Sequence, residues 1–288
     1  VSLQSMRLID EISFFLKENG FESSVLLRHG FYVICTRTAG CTEERIILPL
    51  EIGSATEEEA ARAGEEAFEC IRFIRSSEGY PLIITEDRWH RQKEMTQARL
   101  LAHLEVFTAA YARNCEIRRI EKAEAQEFLN AHHSYGYAAC RYHYGLFLKR
   151  HTGHTRNDIP PETLIAVATF SNARKWQKGD RAIRSYEWTR YASLPHLRIS
   201  GGMGRLLKAF IEEVKPDDIM SYADLEWSEG EVYRNLGFRQ EPGKGPVMFL
   251  IDSETWGRIP VKPGITEGNL YFRNFGSNKY RLKLTDYE

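Results

Sequence analysis

The sequence predicts an α/β (α+β) fold in two parts, a small α/β domain over residues 1–108 and a larger one over 109–288. Three observations predict it. Short runs of β-branched and aromatic residues alternate with segments of helical period along the whole chain. Ser200-Gly201-Gly202-Met203-Gly204 stands between a strand pattern and an amphipathic helix. Tyr233-Arg234-Asn235-Leu236-Gly237-Phe238 closes another helix on a glycine, as a left-handed C-terminal cap does.

The elements follow in order. Met6, Leu8, Ile9, Ile12, Phe15 and Leu16 have helical spacing, and Asn19-Gly20 stops that helix. Val25–Leu27, Phe31–Ile34 and Ile46–Leu48 read as strands, separated by His29-Gly30 and Ala39-Gly40. Thr56 with Glu59 is a capping-box pair and opens a helix running to Ile74. Leu82–Ile84 is a strand, and residues 87–107 form a charged helix with Leu100, Leu101, Leu104 and Phe107 inward. In the second part Ile117 and Ile120 fit a strand and Ala123–Ala131 a helix. Then comes an aromatic and histidine stretch, His132-His133-Ser134-Tyr135-Gly136-Tyr137 and Tyr142-His143-Tyr144. Gly145–Leu148 and Leu164–Phe170 read as strands joined by the polar segment 149–162. A strand at Ser185–Tyr191, a helix at Gly204–Val214, a strand at Ile219–Tyr222 and a helix over Glu229–Leu236 come next. Strands at Val247–Ile251, Leu270–Phe272 and Tyr280–Leu284 complete the order.

Composition narrows the class. A chain of 288 residues with 42% hydrophobic and 27% charged residues can bury a core without staples. No apolar run reaches membrane-spanning length, and no basic-then-apolar secretory start stands at the beginning, so neither is expected. Cys35, Cys41, Cys70, Cys115 and Cys140 are odd in number, widely spaced and free of any Cys-x-x-Cys pair. They predict reduced thiols, a cytoplasmic protein and no structural zinc. Net charge is −1, but it is unevenly placed. Residues 1–80 carry 8 Lys/Arg against 14 Asp/Glu, and residues 141–208 carry 13 against 4. The basic stretch points to an anionic ligand, or to solvated loop charge.

Two segments suit chemistry on their residues alone. Ser200, Gly201, Gly202, Met203, Gly204 and Arg205 form a turn whose glycines allow close backbone approach. The helix start adds unpaired N–H groups and a positive dipole end for a phosphate, with Arg198 nearby; a plain glycine turn is the alternative. On the strand Tyr186–Tyr191 alternate residues share a face, so Glu187, Thr189 and Tyr191 fall together, opposite Tyr186, Trp188 and Arg190. Glu187 is then a candidate base, or a structural partner of Arg190. His132 and His133 are adjacent and point apart on any regular element, so no metal site is expected of them or of His143.

The order strand, glycine turn, helix, strand, helix, Tyr-x-x-Leu-Gly-Phe, strand resembles that of GNAT-family N-acyltransferases. The resemblance implies a mixed, mostly antiparallel sheet flanked by helices. In that family the turn Arg/Gln-x-x-Gly-x-Gly/Ala holds the pyrophosphate of acyl-coenzyme A. Gly202 and Gly204 match its glycines with Ile199 in first place; Arg198 sits one residue early, so the Arg/Gln position is not met. Tyr233 matches the family's tyrosine that protonates the leaving thiolate, a role suited to a positioned phenol. The loop after the domain's first helix, with His132, His133, Tyr135, Tyr137 and His143, matches the place where the acceptor site forms.

A closer likeness spans roughly residues 82–288, including FLNAHHSYGYAACRYHYGLF, YEWTRYASLPHLRISGGMGRLLKAF and IMSYADLEWSEGEVYRNLGF. These segments resemble the GNAT-like portion of phage-encoded, homing-endonuclease-associated proteins. More distantly they resemble the phage Mom proteins, which modify adenine in DNA; that likeness implies roles for Asp224 and Tyr233. In the endonuclease-associated relatives the upstream part is Vsr-like, yet residues 1–81 lack a Pro-Asp followed by Asp/Glu-x-Lys on a strand. A binding or scaffold role, not cleavage, is expected of the first domain. The functional expectation is an acyl-CoA (acetyl-CoA) transferase acting on an amine, a nucleobase among the acceptors. The alternatives are a Mom-like DNA or RNA base-modifying enzyme, whose target base must be extruded and stacked, and a non-catalytic nucleic-acid-binding module using residues 141–208.

Overall fold

The structure is a computed structural model that describes residues 7–37, 44–150, 159–262 and 269–287. Met6, Ala39-Gly40, Cys41 and most of the 149–162 linker lie outside the described residues. The elements in chain order are α1 (Leu8–Glu18), β1 (Ser23–Arg28), β2 (Phe31–Arg37), β3 (Glu44–Leu50), α2 (Glu57–Ser77), β4 (Leu82–Thr85), α3 (Glu86–Arg91) and α4 (Lys93–His103). Then come β5 (Thr108–Tyr111), β6 (Cys115–Arg119), α5 (Lys122–His132), β7 (Tyr142–Leu148), β8 (Leu164–Phe170), β9 (Arg174–Lys178), β10 (Arg181–Ser193) and β11 (Leu197–Ser200). The rest are α6 (Gly202–Val214), β12 (Asp218–Asp224), α7 (Glu231–Asn235), β13 (Arg239–Lys244), β14 (Met248–Asp252), β15 (Arg258–Pro260), β16 (Asn269–Arg273) and β17 (Ser277–Lys283).

These elements make two compact units that are discontinuous in sequence. The first holds residues 1–105, 225–227 and 245–276; the second holds 106–224, 228–244 and 277–288. The contiguous division at 108/109 therefore differs from the structure in one long segment. The strand expected at Val247–Ile251 within the second part forms as β14, but pairs with β15 and β16 in the first unit. The strand that joins the large sheet after α7 is β13, which is polar and exposed and so carries no apolar strand signal.

In the first unit the sheet order is β1-β2-β3-β4, with β3 and β4 parallel. Helix α1 buries Leu8, Ile12 and Leu16, four residues apart, which is the stripe its sequence spacing requires. Thr56 accepts a bond from the Glu59 N–H, while the Glu59 carboxylate accepts from the Ala55 N–H, so α2 starts where the capping pair predicts. The single helix expected over 87–107 is broken at Gln92 into α3 and α4. The first unit also buries charge. Arg258 pairs with Asp87, with Glu226 at 2.8 Å and with the Thr85 hydroxyl at 3.0 Å; Arg88 meets Glu226 at 3.2 Å. Burial pushes the Glu226 carboxyl up, but Arg258 and Arg88 outweigh it and hold it at about 2.

The second unit carries an eight-stranded sheet of order β13-β17-β12-β10-β8-β7-β6, with β9 paired to β10. Every pairing in it is antiparallel except β10 with β12. The expected mixed, mostly antiparallel sheet flanked by helices is what forms. Helix α6 packs Leu206, Leu207 and Phe210 on one face, where Phe210 stacks on Phe170 at 3.9 Å. Helix α5 packs Ala125, Phe128 and Leu129 on the other, against Phe147, Val167 and Ala192. Burying the Phe210 ring stabilises this side by roughly 2–3 kcal/mol.

Candidate functional site

The site begins where two parallel strands part. β10 and β12 pair only at Ser185↔Asp218, Tyr186↔Ile219 and Glu187↔Met220. Beyond these, β10 continues on β8 and β12 continues on β17. The strands thus open like a fork from Glu187 and Met220 onward. The Ser221 hydroxyl lies 2.9 Å from the Trp188 carbonyl and 2.9 Å from the Tyr233 hydroxyl, at the base of the fork. Serine has one proton and the carbonyl only accepts, so Ser221 donates to Trp188 and Tyr233 donates to Ser221.

Tyr233 is held there by how α7 ends. Gly237 has φ +87°, its N–H bonds the Arg234 carbonyl at 2.9 Å, and the Phe238 N–H bonds the Tyr233 carbonyl at 2.9 Å. That pair of bonds, with the Tyr233–Phe238 ring contact at 5.5 Å, is a complete Schellman cap. So the Leu-Gly-Phe sequence fixes the backbone of the tyrosine it follows. Tyr280 stacks on the ring at 5.3 Å, and Gly230 leaves space for it: an added Cβ there would lie 2.4 Å from Tyr280 Cε2. Burial raises the Tyr233 phenol above its ordinary value, so it stays protonated at neutral pH.

The face assignment on β10 changes at a bulge. Trp188 faces Phe170 and Arg190 faces Thr169, so two residues on β10 span one step on β8. After the bulge the alternation reverses. Tyr186, Trp188 and Tyr191 lie on the α6 face with the main core. Glu187 and Arg190 lie on the α5 face, with Ala192 beyond them. The sequence expectation that placed Tyr191 with Glu187 and Arg190 with Trp188 is corrected by that one extra residue. Glu187 and Arg190 form no ion pair with each other or with any described residue. Burial lowers the pKa of Arg190, opposed by Cys140, Glu187 and Tyr135.

The loop after α5 spans the fork. Arg190 Nε donates to the Gly136 carbonyl at 3.0 Å, and the Tyr135 hydroxyl donates to Asp224 at 2.7 Å, at the end of β12. Tyr137 takes the Cys140 N–H at 3.4 Å, and its hydroxyl shares a hydrogen bond with His143 Nε2 at 3.1 Å. Burial lowers the pKa of His143, so the ring is neutral at pH 7. His133 Nδ1 accepts from the Tyr135 N–H at 3.1 Å. His132 sits edge-on to Phe128 at the end of α5, 4.7 Å between centroids. Of the five loop candidates, Tyr135, Tyr137 and His143 thus have bonds that shape the fork side; His132 packs on its own helix. Among the described residues no three His, Cys, Asp or Glu side chains gather as a metal site would.

The glycine turn follows β11. Gly201 has φ +77° and caps α6, and the first helical bond runs from the Arg205 N–H to the Gly201 carbonyl at 3.1 Å. The N–H groups of Gly202, Met203 and Gly204 thus have no helical partner. An added Cβ at Gly202 would lie 2.9 Å from Ile199 Cγ2, so glycine is required there for packing. Arg205 does not reach outward. Its guanidinium is tied to the Ala112 carbonyl and, at 2.9 Å, to the Cys115 carbonyl. Arg198 lies over the Phe107 ring at 5.1 Å. Of the basic stretch, Arg181 pairs with Asp217 at 2.9 Å, while Arg174, Lys175 and Lys178 on β9 are exposed and without a carboxylate partner among the described residues.

No family model matches this chain, and no curated protein matches it. Solved structures do. A chain of the NatC complex bound to Gag peptide and CoA is 11% identical, with a TM-score of 0.34, over 60% of this chain and 99% of that one. A mutant of the spermidine N-acetyltransferase SpeG from Vibrio cholerae is 11% identical, TM-score 0.37, over 59% and 94%. A GNAT-family acetyltransferase from Bacillus anthracis is 13% identical, TM-score 0.31, over 59% and 95%. At these values no residue role or activity passes from them to this chain, and its chemistry rests on its own geometry.

Proposed function

We propose that the second unit is an acyl-CoA-dependent N-acyltransferase acting on an amine. The observation that carries this is the forked β10/β12 pair with a protonated phenol at its base. An extended thioester substrate fits between strands that have stopped pairing, and its phosphates fit the free N–H groups of Gly202, Met203 and Gly204. Ser200 and Gly201 shape the turn, and Arg205 braces it through backbone carbonyls. The amine nitrogen attacks the thioester carbonyl carbon. The N–C bond forms, the C–S bond breaks, and Tyr233 gives its proton to the departing thiolate. Glu187, near the fork and without an ion pair, takes the proton of the amine directly or through water. Asp224, which the Tyr135 hydroxyl already engages, is the second candidate for that step.

Calorimetric titration with acetyl-CoA and with CoA tests the reading. Binding at micromolar ligand is the expected result, with loss of enthalpy in Gly204→Asp. No binding at millimolar ligand would overturn it.

A second reading concerns the exposed edge strand β9. Lys175 faces Arg184 and Lys178 faces Arg181 across the hairpin. Directly opposed like charges destabilise a strand pair. A nucleic-acid backbone would relieve that repulsion, and Trp176 between the cations offers a stacking ring. Oligonucleotide binding that weakens with salt and is lost in Lys175→Glu/Lys178→Glu is expected. Salt-independent or absent binding removes this reading.

A further inference from the structure

A row of polar side chains crosses the α5 face of the large sheet beneath the loop 133–141. His143 on β7 stands opposite Thr169 on β8, and Thr169 stands opposite Arg190 on β10. Directly opposed residues put their Cβ atoms about 5 Å apart. The row is incompletely satisfied. Thr169 is fully buried, and its hydroxyl has no hydrogen-bond partner among the described residues. Leaving such a group unpaired is unfavourable, because it loses water without gaining a partner. Arg190 is half-buried and bonds only carbonyls, Gly136 through Nε and Thr189 through Nη1 at 2.9 Å. Its Nη2 has no protein acceptor among the described residues, and no carboxylate lies within ion-pair distance. A desolvated guanidinium and an unpaired hydroxyl side by side call for an acceptor with negative charge. Carboxylates occupy the other positions around the fork: Glu187 on the same strand face and Asp224 beyond Tyr135.

We propose that the Thr169–Arg190 row is the carboxylate-binding half of the acceptor site, and that the acceptor is a small zwitterion, an amine carrying its own carboxylate. Its carboxylate accepts hydrogen bonds from the Thr169 hydroxyl and from Arg190 Nη2. Its amine is directed toward Glu187 and Asp224. The loop 133–141 roofs this half, and the Tyr135–Asp224 and Arg190–Gly136 bonds that hold it down must yield for the acceptor to enter. This rests on the acyl-transfer reading for the identity of the reaction, but not for the binding of the ligand.

The test uses the full chain and matched probes, the twenty amino acids each beside its own carboxamide, which removes only the negative charge. Binding is read by calorimetry and transfer by CoA thiol release from acetyl-CoA. In at least one pair the acid should bind about tenfold tighter or more than the amide, the weight of a charge-assisted hydrogen bond. In Thr169→Val and Arg190→Gln that preference should shrink to about twofold. Thr169→Val keeps the shape and removes an unpaired hydroxyl, so it should melt no lower than the parent and carries the test if Arg190→Gln does not fold. Equal binding of acids and amides throughout, or a preference unmoved by either variant, overturns the proposal. Acid-selective binding with no CoA binding and no thiol release keeps the subsite and overturns acyl transfer. Thiol release that favours amides or uncharged amines does the reverse.

Discussion

Two buried clusters, one in each unit, treat charge in opposite ways, although the second unit also closes a network of its own where Arg281, Ser185 and Tyr287 meet the buried Asp218. In the first, Arg258 and Arg88 close on Asp87 and Glu226 with bidentate and bridging contacts, and Thr85 takes a further guanidinium hydrogen. In the second, Glu187 and Arg190 on β10 have no ion-pair partner among the described residues, and the hydroxyl of Thr169, opposite Arg190 on β8, has no hydrogen-bond partner among them. Completed networks are rigid and expensive to break; incomplete ones hold electrostatic potential for a ligand. By that measure the Asp87–Glu226 cluster is scaffold and the Arg190–Thr169 cluster is site.

The largest expected effect breaks the scaffold side. Glu226→Gln leaves two guanidinium groups without their shared carboxylate and should cost about 3–5 kcal/mol in urea unfolding. A cost below about 1 kcal/mol would mean the network is not the completed one described. On the site side the effect should fall on rate. Tyr233→Phe removes one hydrogen bond to Ser221 and should change stability by about 1 kcal/mol. Thiol release should drop about 100-fold or more, the usual weight of a positioned acid. A large stability loss with intact turnover would make Tyr233 a packing residue.

The smallest expected effect sharpens the comparison through pH. His103 in the first unit is half-buried, its Nε2 is enclosed without a partner among the described residues, and burial, with Arg45 and Arg99, lowers its pKa to about 4. The folded chain therefore holds it neutral while the unfolded chain protonates near 6.5. Its contribution is full above pH 6.5 and is lost as pH falls from 6.5 through 4, by at most about 3 kcal/mol. His103→Leu should flatten the stability profile across that window. An unchanged slope in the variant would place the proton elsewhere.

Much of this was legible in the chain itself. The spacing of Leu8, Ile12 and Leu16, the Thr56/Glu59 pair and the Leu236-Gly237-Phe238 stop each form what their local chemistry demands, because caps and helix faces depend on neighbours within a turn. The polar strands β9 and β13 were not legible, since neither carries an apolar pattern; β9 forms by its hairpin with β10, and β13 takes its partner β17 from far along the chain. The same holds for Arg205. Its charge beside a glycine turn looks like a phosphate ligand, but carbonyls of Ala112 and Cys115, some ninety residues earlier, claim it.

By itself the sequence determined where α1 ends and α2 begins, that a glycine turn opens α6, and that Tyr233 precedes a tight helix stop. Only the tertiary structure decided that β10 and β12 part after Glu187, that a bulge at Thr189 turns Arg190 to the side of Glu187, and that β14–β16 belong with the first unit. The reason is physical. Caps and periodic faces are satisfied by residues a few positions apart, whereas strand partners, bulges and the pairing of buried charge are settled by groups brought together only when the chain is folded.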